Sequence, residues 1–281
     1  MFNIKNRLIA AEQQLQHIST PTLDAEVLLS YVLDIDRSYL YAHPDQILTN
    51  EQITQYQILT KRRQSGEPIA YIVGHQEFWS LDLLVTPDVL IPRAETELLV
   101  ESVLDLLPND SSIRIADLGT GSGAVALAIA SERPHWKIVA TDQSESALKL
   151  ARRNQQRIGV NSVEFLLSDW CQSLPAGQFD AIVSNPPYVA EEDPYLKQGD
   201  VRFEPRAALI AGLDGLQAIQ IIVDQAKQYL KTSGYLVFEH GYNQGEPVRK
   251  ILSNCKYQDI VTKKDLAGHE RITWGRLMRK H

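Results

Sequence analysis

"IRIADLGTGSGAVALAIASER", residues 113–133, decides the fold. "IRIADLG" is an apolar, β-branched run of strand length. It ends in a loop with glycine at every second place, Gly119, Gly121 and Gly123. "GAVALAIASER" then continues as a small, apolar helix. Glycine lets the backbone turn tightly and lets a ligand come close to it. The helix start offers unpaired N–H groups. The stretch therefore reads as strand, tight turn and helix, the unit from which a sheet covered on both faces is built.

The same alternation runs on toward the C-terminus. "KIVATD" reads as a strand and "SESALKLARRNQQRIG" as a helix. "VEFLLSD" and "FDAIVSN" are strands, "DGLQAIQIIVDQAKQYL" a helix and "GYLVFEHG" a strand. A helix over Gln244 to Ser253 precedes two last strands, "QDIVTKK" and "RITWGRLM". No helix separates these two, so they are expected to pair as an antiparallel hairpin. That ending resembles the seven-stranded mixed sheet of class I methyltransferases, an α/β, Rossmann-like fold, more than a dehydrogenase sheet. Toward the N-terminus, residues 1–70 carry apolar positions at helical spacing and predict a small all-helical bundle. Residues 71–93, "YIVGHQEFWSLDLLVTPDVLIPR", are aromatic and β-branched with turn signals at Gly74 and Pro87, and predict a β-hairpin linker. "AETELLVESVLDLL" opens the third region, 94–281, with a helix carrying acids in its first turn.

The whole chain narrows the function classes. Its 281 residues are 44% hydrophobic and 22% charged, the make-up of a globular protein. A formal net charge of −7 argues against a broad electrostatic grip on nucleic acid. Two short basic runs, Lys61-Arg62-Arg63 and Arg276 to Lys280, read as solvated surface. Two cysteines, Cys171 and Cys255, have no metal-type spacing and fit a reducing compartment. The N-terminus reads as an amphipathic helix rather than a signal peptide, and no run approaches the roughly 20 apolar residues of a membrane span. A cytosolic location is expected, with no membrane partner and no metal.

The glycine loop, Gly119, Thr120, Gly121, Ser122 and Gly123, suits either a dinucleotide or S-adenosylmethionine. Asp142, 23 positions after Gly119 at the end of the second strand, can accept hydrogen bonds from ribose hydroxyls in either case. Asp169 and Trp170 close the third strand, where an acid and a ring could hold an adenine. The fourth strand discriminates, because it ends in "SNPPY", Ser184 to Tyr188. Hydride transfer has no evident use for such a rigid end. Methyl transfer to a planar –NH2 group does, because that nitrogen's lone pair is delocalised and must be aimed. The Asn185 side-chain oxygen can accept one N–H and the Pro186 carbonyl the other. Pro186 and Pro187 have fixed φ, so the acceptors stand ready before substrate arrives. Tyr188 can stack on the flat group.

"DLGTGSG" with "SNPPY" resembles class I methyltransferases that modify planar nitrogens of DNA, RNA or protein. "GEPIAYIVGHQEFWSLDLLVTPDVLIPRAETE", "FEPRAALIAGLDGL" and "GHERITWGR" resemble more narrowly the release factor glutamine methyltransferases, the HemK or PrmC family. The resemblance covers essentially the whole chain. One departure is Ala94, where many relatives have proline. The resemblance implies transfer of a methyl group from S-adenosylmethionine to the side-chain amide nitrogen, N5, of a glutamine. That glutamine lies in the Gly-Gly-Gln loop of bacterial class I peptide chain release factors. It implies cofactor contacts at Gly119 to Gly123, Asp142, Trp170 and Asn185, and substrate contacts at Asn185, Pro186, Pro187 and Tyr188. It implies substrate recognition by the helical bundle and an S-adenosylmethionine-dependent domain over 94–281. The chain is expected to act as a monomer, with no need to touch nucleic acid directly. The rival expectation is an amino-methyltransferase acting on the exocyclic nitrogen of a DNA or RNA base.

Overall fold

Capping residues mark the helix starts near the N-terminus of the computed structural model, which describes residues 2–110, 113–175 and 179–278. Asn3 accepts the Asn6 N–H and opens α1, Ile4–Gln14. Pro21 occupies the first position of α2, Pro21–Leu33, where its missing N–H costs nothing. Next come α3, Arg37–Ala42, and α4, Asn50–Gln64, which starts from a reciprocal capping box between Thr49 and Gln52. Last is α5, Ile69–Val73, ended by Gly74 in the left-handed conformation. Leu15, Leu28, Leu29 and Tyr56 are among the residues of its core. The residues up to His75 form one compact unit together with a later segment, Lys197–Phe203.

Arg63 corrects one expectation. It belongs to the basic run expected as solvated surface, yet its side chain is only 5% exposed. Its Nε donates to Asp24 Oδ2 at 2.6 Å and its Nη1 to Asp200 Oδ1 at 2.7 Å. The α4 periodicity turns Arg63 inward with Leu59 and Tyr56, while Lys61 stays exposed. Of the second basic run, Arg279 and Lys280 lie outside the described residues.

The hairpin is shorter than 71–93. Its strands are β1, His75–Phe78, and β2, Leu81–Leu84, turned by Trp79 and Ser80, both at positive φ. Tyr71 to Val73 are the end of α5, and prolines follow at 87 and 92, which hold the chain out of strand pairing.

The larger unit holds the sheet. A 3-10 turn, Ala94–Thr96, leads into α6, Glu97–Leu106. The alternation is then β3, Arg114–Leu118; α7, Ala124–Glu132; β4, Lys137–Asp142; α8, Glu145–Ile158; β5, Val163–Leu167; and β6, Phe179–Ser184. It ends with α9, Gln217–Ala226; β7, Leu230–Glu239; α10, Gly245–Asn254; β8, Tyr257–Lys264; and β9, Glu270–Leu277. The strand order is β5-β4-β3-β6-β7-β9-β8. The first five neighbours pair in parallel, and β9 pairs antiparallel with both β7 and β8. This is the class I methyltransferase fold. Apolar cores lie on both faces. One is built on Leu99, Leu127 and Leu148, the other on Ile219, Val223 and Val248. Strand order reverses between β3 and β6, and a crevice opens past their C-terminal ends, where open α/β sheets bind ligands.

Candidate active site

The glycine loop leaves β3 with Gly119, Gly121 and Gly123 at φ +72°, +56° and +87°. Side-chain-bearing residues rarely adopt such angles, so the spacing of the glycines follows from the turn. Four of the loop's five N–H groups are spent within the protein. Those of Gly119 and Thr120 both donate to the Thr141 carbonyl, at 2.8 and 2.9 Å. Gly121 N–H donates to Asp142 Oδ2 at 2.9 Å, and Gly123 N–H to the Thr120 carbonyl at 2.9 Å. A pyrophosphate would need such groups free. The loop instead offers a close-approach backbone surface beside a carboxylate, which suits a nucleoside without phosphates.

Two acids underpin this loop. Asp142 Oδ1 accepts the Ser144 N–H at 2.9 Å, so the carboxylate ties the glycine loop to the start of α8. Burial raises its pKa, and the N–H groups of Ser144, Gly121 and Gln143 pull it back. Asp117 is buried below and accepts the Thr120 hydroxyl at 2.6 Å. Burial pushes its carboxyl up to about 6, against the opposing hydrogen bonds from Thr120 and Ala126.

Trp170 lies at φ +51° after β5. The hydroxyls of Ser168 and Thr141 donate to its carbonyl, at 2.9 and 3.2 Å, and hold this unusual conformation. Its ring covers Gly119: a Cβ there would stand 3.4 Å from Cζ3.

The strand end is tied down from several sides. Ser184 Oγ donates to the Leu118 carbonyl at 2.7 Å, joining β6 to β3. Val189 N–H donates to Leu209 O, and Ala211 N–H to Val189 O, at 2.8 and 3.0 Å. Gln244 Nε2 donates to the Tyr188 carbonyl at 3.0 Å. Gly215 lies so near that a Cβ would collide with that carbonyl. "FEPRAALIAGLDGL" is thus the brace of "SNPPY". Asn185 Nδ2 donates to Thr96 Oγ1 at 3.1 Å, whereas its Oδ1 is buried without a hydrogen-bond partner among the described residues. The Tyr188 hydroxyl donates to Glu239 Oε1 at 3.4 Å. Burial pushes the Glu239 carboxyl up to about 7, against the Thr96 hydroxyl, Arg271 and Tyr188.

These elements enclose a cleft of about 1060 Å³ of empty space, open solvent included. Gly119, Thr120, Gly121, Ser122, Asp142, Trp170, Asn185 and Pro187 all line it. Gly123 does not, because it caps α7, and neither do Pro186 and Tyr188. Sequence reasoning missed Thr96, Asp117 and Glu239. The two acids carried a signal, a carboxylate inside or ending an apolar strand. Thr96 carried none, because its partner lies 89 positions away. Among the described residues no group of three His, Cys, Asp or Glu could hold a metal, and no helix is long and apolar enough to cross a membrane.

Comparison with known proteins agrees with the fold and with both units. Residues 7–74 match the family described as the PrmC N-terminal domain, and residues 94–199 the methyltransferase small domain. A solved methyltransferase from Pyrococcus furiosus shares the fold. It has a TM-score of 0.54 and 17% identity, covering 80% of this chain and 98% of that one. The release factor glutamine methyltransferase of Escherichia coli (strain K12) is 47% identical over 266 residues, 95% of this chain and 96% of that protein. That of Coxiella burnetii is 51% identical over 273 residues, 97% of this chain and 98% of that protein. With such identity along nearly the whole of both chains, this protein belongs to the release factor glutamine methyltransferase family.

Proposed function

We propose that this enzyme transfers a methyl group from S-adenosylmethionine to N5 of the glutamine in the Gly-Gly-Gln loop of bacterial class I peptide chain release factors. The observation that carries this reading is Asn185 Oδ1, a buried acceptor left without a donor at the wall of the cleft. A buried acceptor without a partner costs about 1–3 kcal/mol, so its persistence at a ligand cleft points to a donor that arrives with the substrate.

The residues present fit the cofactor. Gly119 and Gly121 let a ligand lie against bare backbone, Asp142 keeps a carboxylate at the wall, and Trp170 presents a ring face. When bound, S-adenosylmethionine supplies an electrophilic methyl on a sulfonium. The Asp142 carboxylate would accept the ribose hydroxyls, and Trp170 would pack on the adenine. At the other end, Asn185 Oδ1 and the Pro186 carbonyl accept the two hydrogens of the glutamine –NH2. Bonded this way, the nitrogen turns its lone pair out of conjugation and toward the methyl. The same two acceptors stabilise the positive charge that develops on it. Alignment at attack distance supplies several further kcal/mol, up to roughly 7–11. The Tyr188 ring packs on the flat amide while its hydroxyl stays tied to Glu239. No general base is needed before transfer, because the methylated nitrogen is acidic and loses its proton to water afterwards. The helical unit, which runs to His75 and takes in Lys197–Phe203, recognises the protein around the glutamine.

The test is mass spectrometry of a whole release factor incubated with the enzyme and S-adenosylmethionine. A gain of one methyl group on the Gly-Gly-Gln glutamine is expected. A short peptide carrying the same glutamine should be methylated far more slowly, because it offers the helical unit nothing to hold. Transfer to DNA or RNA with the release factor left unmodified would overturn the reading.

A further inference from the structure

We infer that Thr96 and Glu239 fix which end of the Asn185 amide faces the substrate, acting as positioning residues for methyl transfer. The inference rests on the role given to Asn185 above. A primary amide has two ends of nearly equal shape, one an acceptor and one a donor. Turned the wrong way, Asn185 would present a donor to another donor. Packing alone cannot tell the ends apart, so a hydrogen-bonding group must.

Thr96 is that group. It is buried at the close of the turn Ala94–Thr96, and its Oγ1 accepts from Asn185 Nδ2. A hydroxyl has only one hydrogen. An ionised carboxylate only accepts, and Glu239, buried at the end of β7 beside Thr96, keeps Oε2 without a hydrogen-bond partner among the described residues, so the Thr96 hydrogen has an acceptor to turn to. Toward Asn185, Thr96 is then left with lone pairs alone. That holds Nδ2 on the Thr96 side and leaves Oδ1 as the free acceptor. The charge state of Glu239 therefore sets the sense of the whole chain. Protonation would put a donor beside Thr96, release the Thr96 hydrogen toward Asn185 and favour the flipped amide.

The groups facing Glu239 come from every side. Tyr188 donates to Oε1 from the strand end, Arg271 approaches from β9, and Glu95 repels from the turn. Burial places the carboxyl up to about 7, where small changes of pH reach it. The sign follows: the ionised form is the competent one, so the rate of transfer falls as pH drops through about 7.

The experiment is single-turnover methyl transfer to a whole release factor, with cofactor and substrate saturating. Thr96→Val keeps the shape and removes the acceptor. Its rate should fall at least about tenfold, the worth of one ordinary hydrogen bond, with KM for the release factor changed far less. Thr96→Ser restores the oxygen and should recover the rate to within about threefold. In Glu239→Gln the loss of rate below pH 7 should flatten. The Asn185 side-chain NH2 resonance, identified by its loss in Asn185→Ala, should shift in Thr96→Val and hold its place in Thr96→Ser. A Thr96→Val enzyme at the wild-type rate beside an inactive Asn185→Ala would overturn the inference. So would a Thr96→Ser enzyme no better than Thr96→Val, or an acid limb unchanged in Glu239→Gln. If the wild type leaves release factors unmodified, the substrate reading fails instead, and the NH2 resonance still decides the orientation of Asn185.

Discussion

The glycine loop and the Asn-Pro-Pro-Tyr segment leave neighbouring strands, β3 and β6, with opposite outcomes. In the loop, four backbone N–H groups find acceptors inside the protein, two on one carbonyl and one on the Asp142 carboxylate. At the strand end, Asn185 keeps a buried acceptor that nothing among the described residues meets. Both regions are held rigidly, the one by satisfying itself and the other by braces around an unsatisfied atom. The difference separates two ways of binding. A surface complete in itself binds by shape, and a surface with an unmet valence selects the chemistry of what arrives.

Breaking the strand end should have the largest effect. Asn185→Ala deletes the unmet acceptor, and by analogy with a lost oxyanion-hole donor the single-turnover rate should fall by about 10²–10³. Melting temperature should hardly change, because the lost Thr96 contact is offset by removal of an unpaired buried atom. Asn185→Asp keeps an acceptor and should retain part of the rate, which the same labelled-methyl assay measures. Wild-type transfer by Asn185→Ala would refute the contrast outright.

Breaking the loop should act on binding instead. A Cβ added at Gly121 would meet no described atom within 4 Å, so the side chain of Gly121→Val starts into open space beside the backbone. The left-handed φ costs about 1–2 kcal/mol in addition. Affinity for S-adenosylhomocysteine, followed by calorimetry, should drop more than about tenfold. Undiminished binding by a folded variant would place the ligand elsewhere.

Asp142→Ala sharpens the comparison, because it strands the N–H groups of Gly121 and Ser144. Chemical denaturation should show a loss of about 1–3 kcal/mol alongside weaker cofactor binding. A loss of affinity with unaltered stability would mean that the loop stands without its carboxylate.

The smallest effect concerns Asp117. Its folded pKa of about 6 lies above the ordinary carboxylate value of 3.8. The folded state therefore binds this proton more tightly, and the group's contribution to stability declines as pH rises from about 4 to about 6. Asp117→Asn removes that dependence. Its melting curve relative to wild type should look best above pH 6 and lose a few degrees of that advantage as pH falls toward 4. A constant offset across the range would show that Asp117 does not titrate there.

Much of this was legible in sequence because the signals were local. Strand-helix alternation from Ile113 follows from apolar periodicity, and the positions of Gly119, Gly121 and Gly123 follow from a turn only glycine makes cheaply. Asn185 stood out because two prolines fixed its surroundings. The rest depended on partners far apart in the chain. Thr96 reaches Asn185 across 89 positions and Arg63 reaches Asp200 across 137, and no periodicity reports either pairing. The basic run at Arg63 reads as solvated surface for that reason. Free charge and paired charge look alike until their partners are known. The hairpin limits slipped because the aromatic, β-branched composition of 71–73 fits a strand as well as it fits the last turn of α5.

The membership of Lys197–Phe203 in the helical unit has a consequence for how the chain is made. Arg63 leaves the ribosome soon after Asp24, but Asp200 follows only after a further 137 residues. At about 5–20 residues per second, that delay is roughly 7–27 s. Through that interval Arg63 has only one of its two carboxylate partners on the chain. The Arg63 ion pairs are complete only after β3 to β6, four of the seven strands of the sheet, have been made. The N-terminal unit begins folding first and finishes late, so its maturation reports on the growth of the catalytic unit.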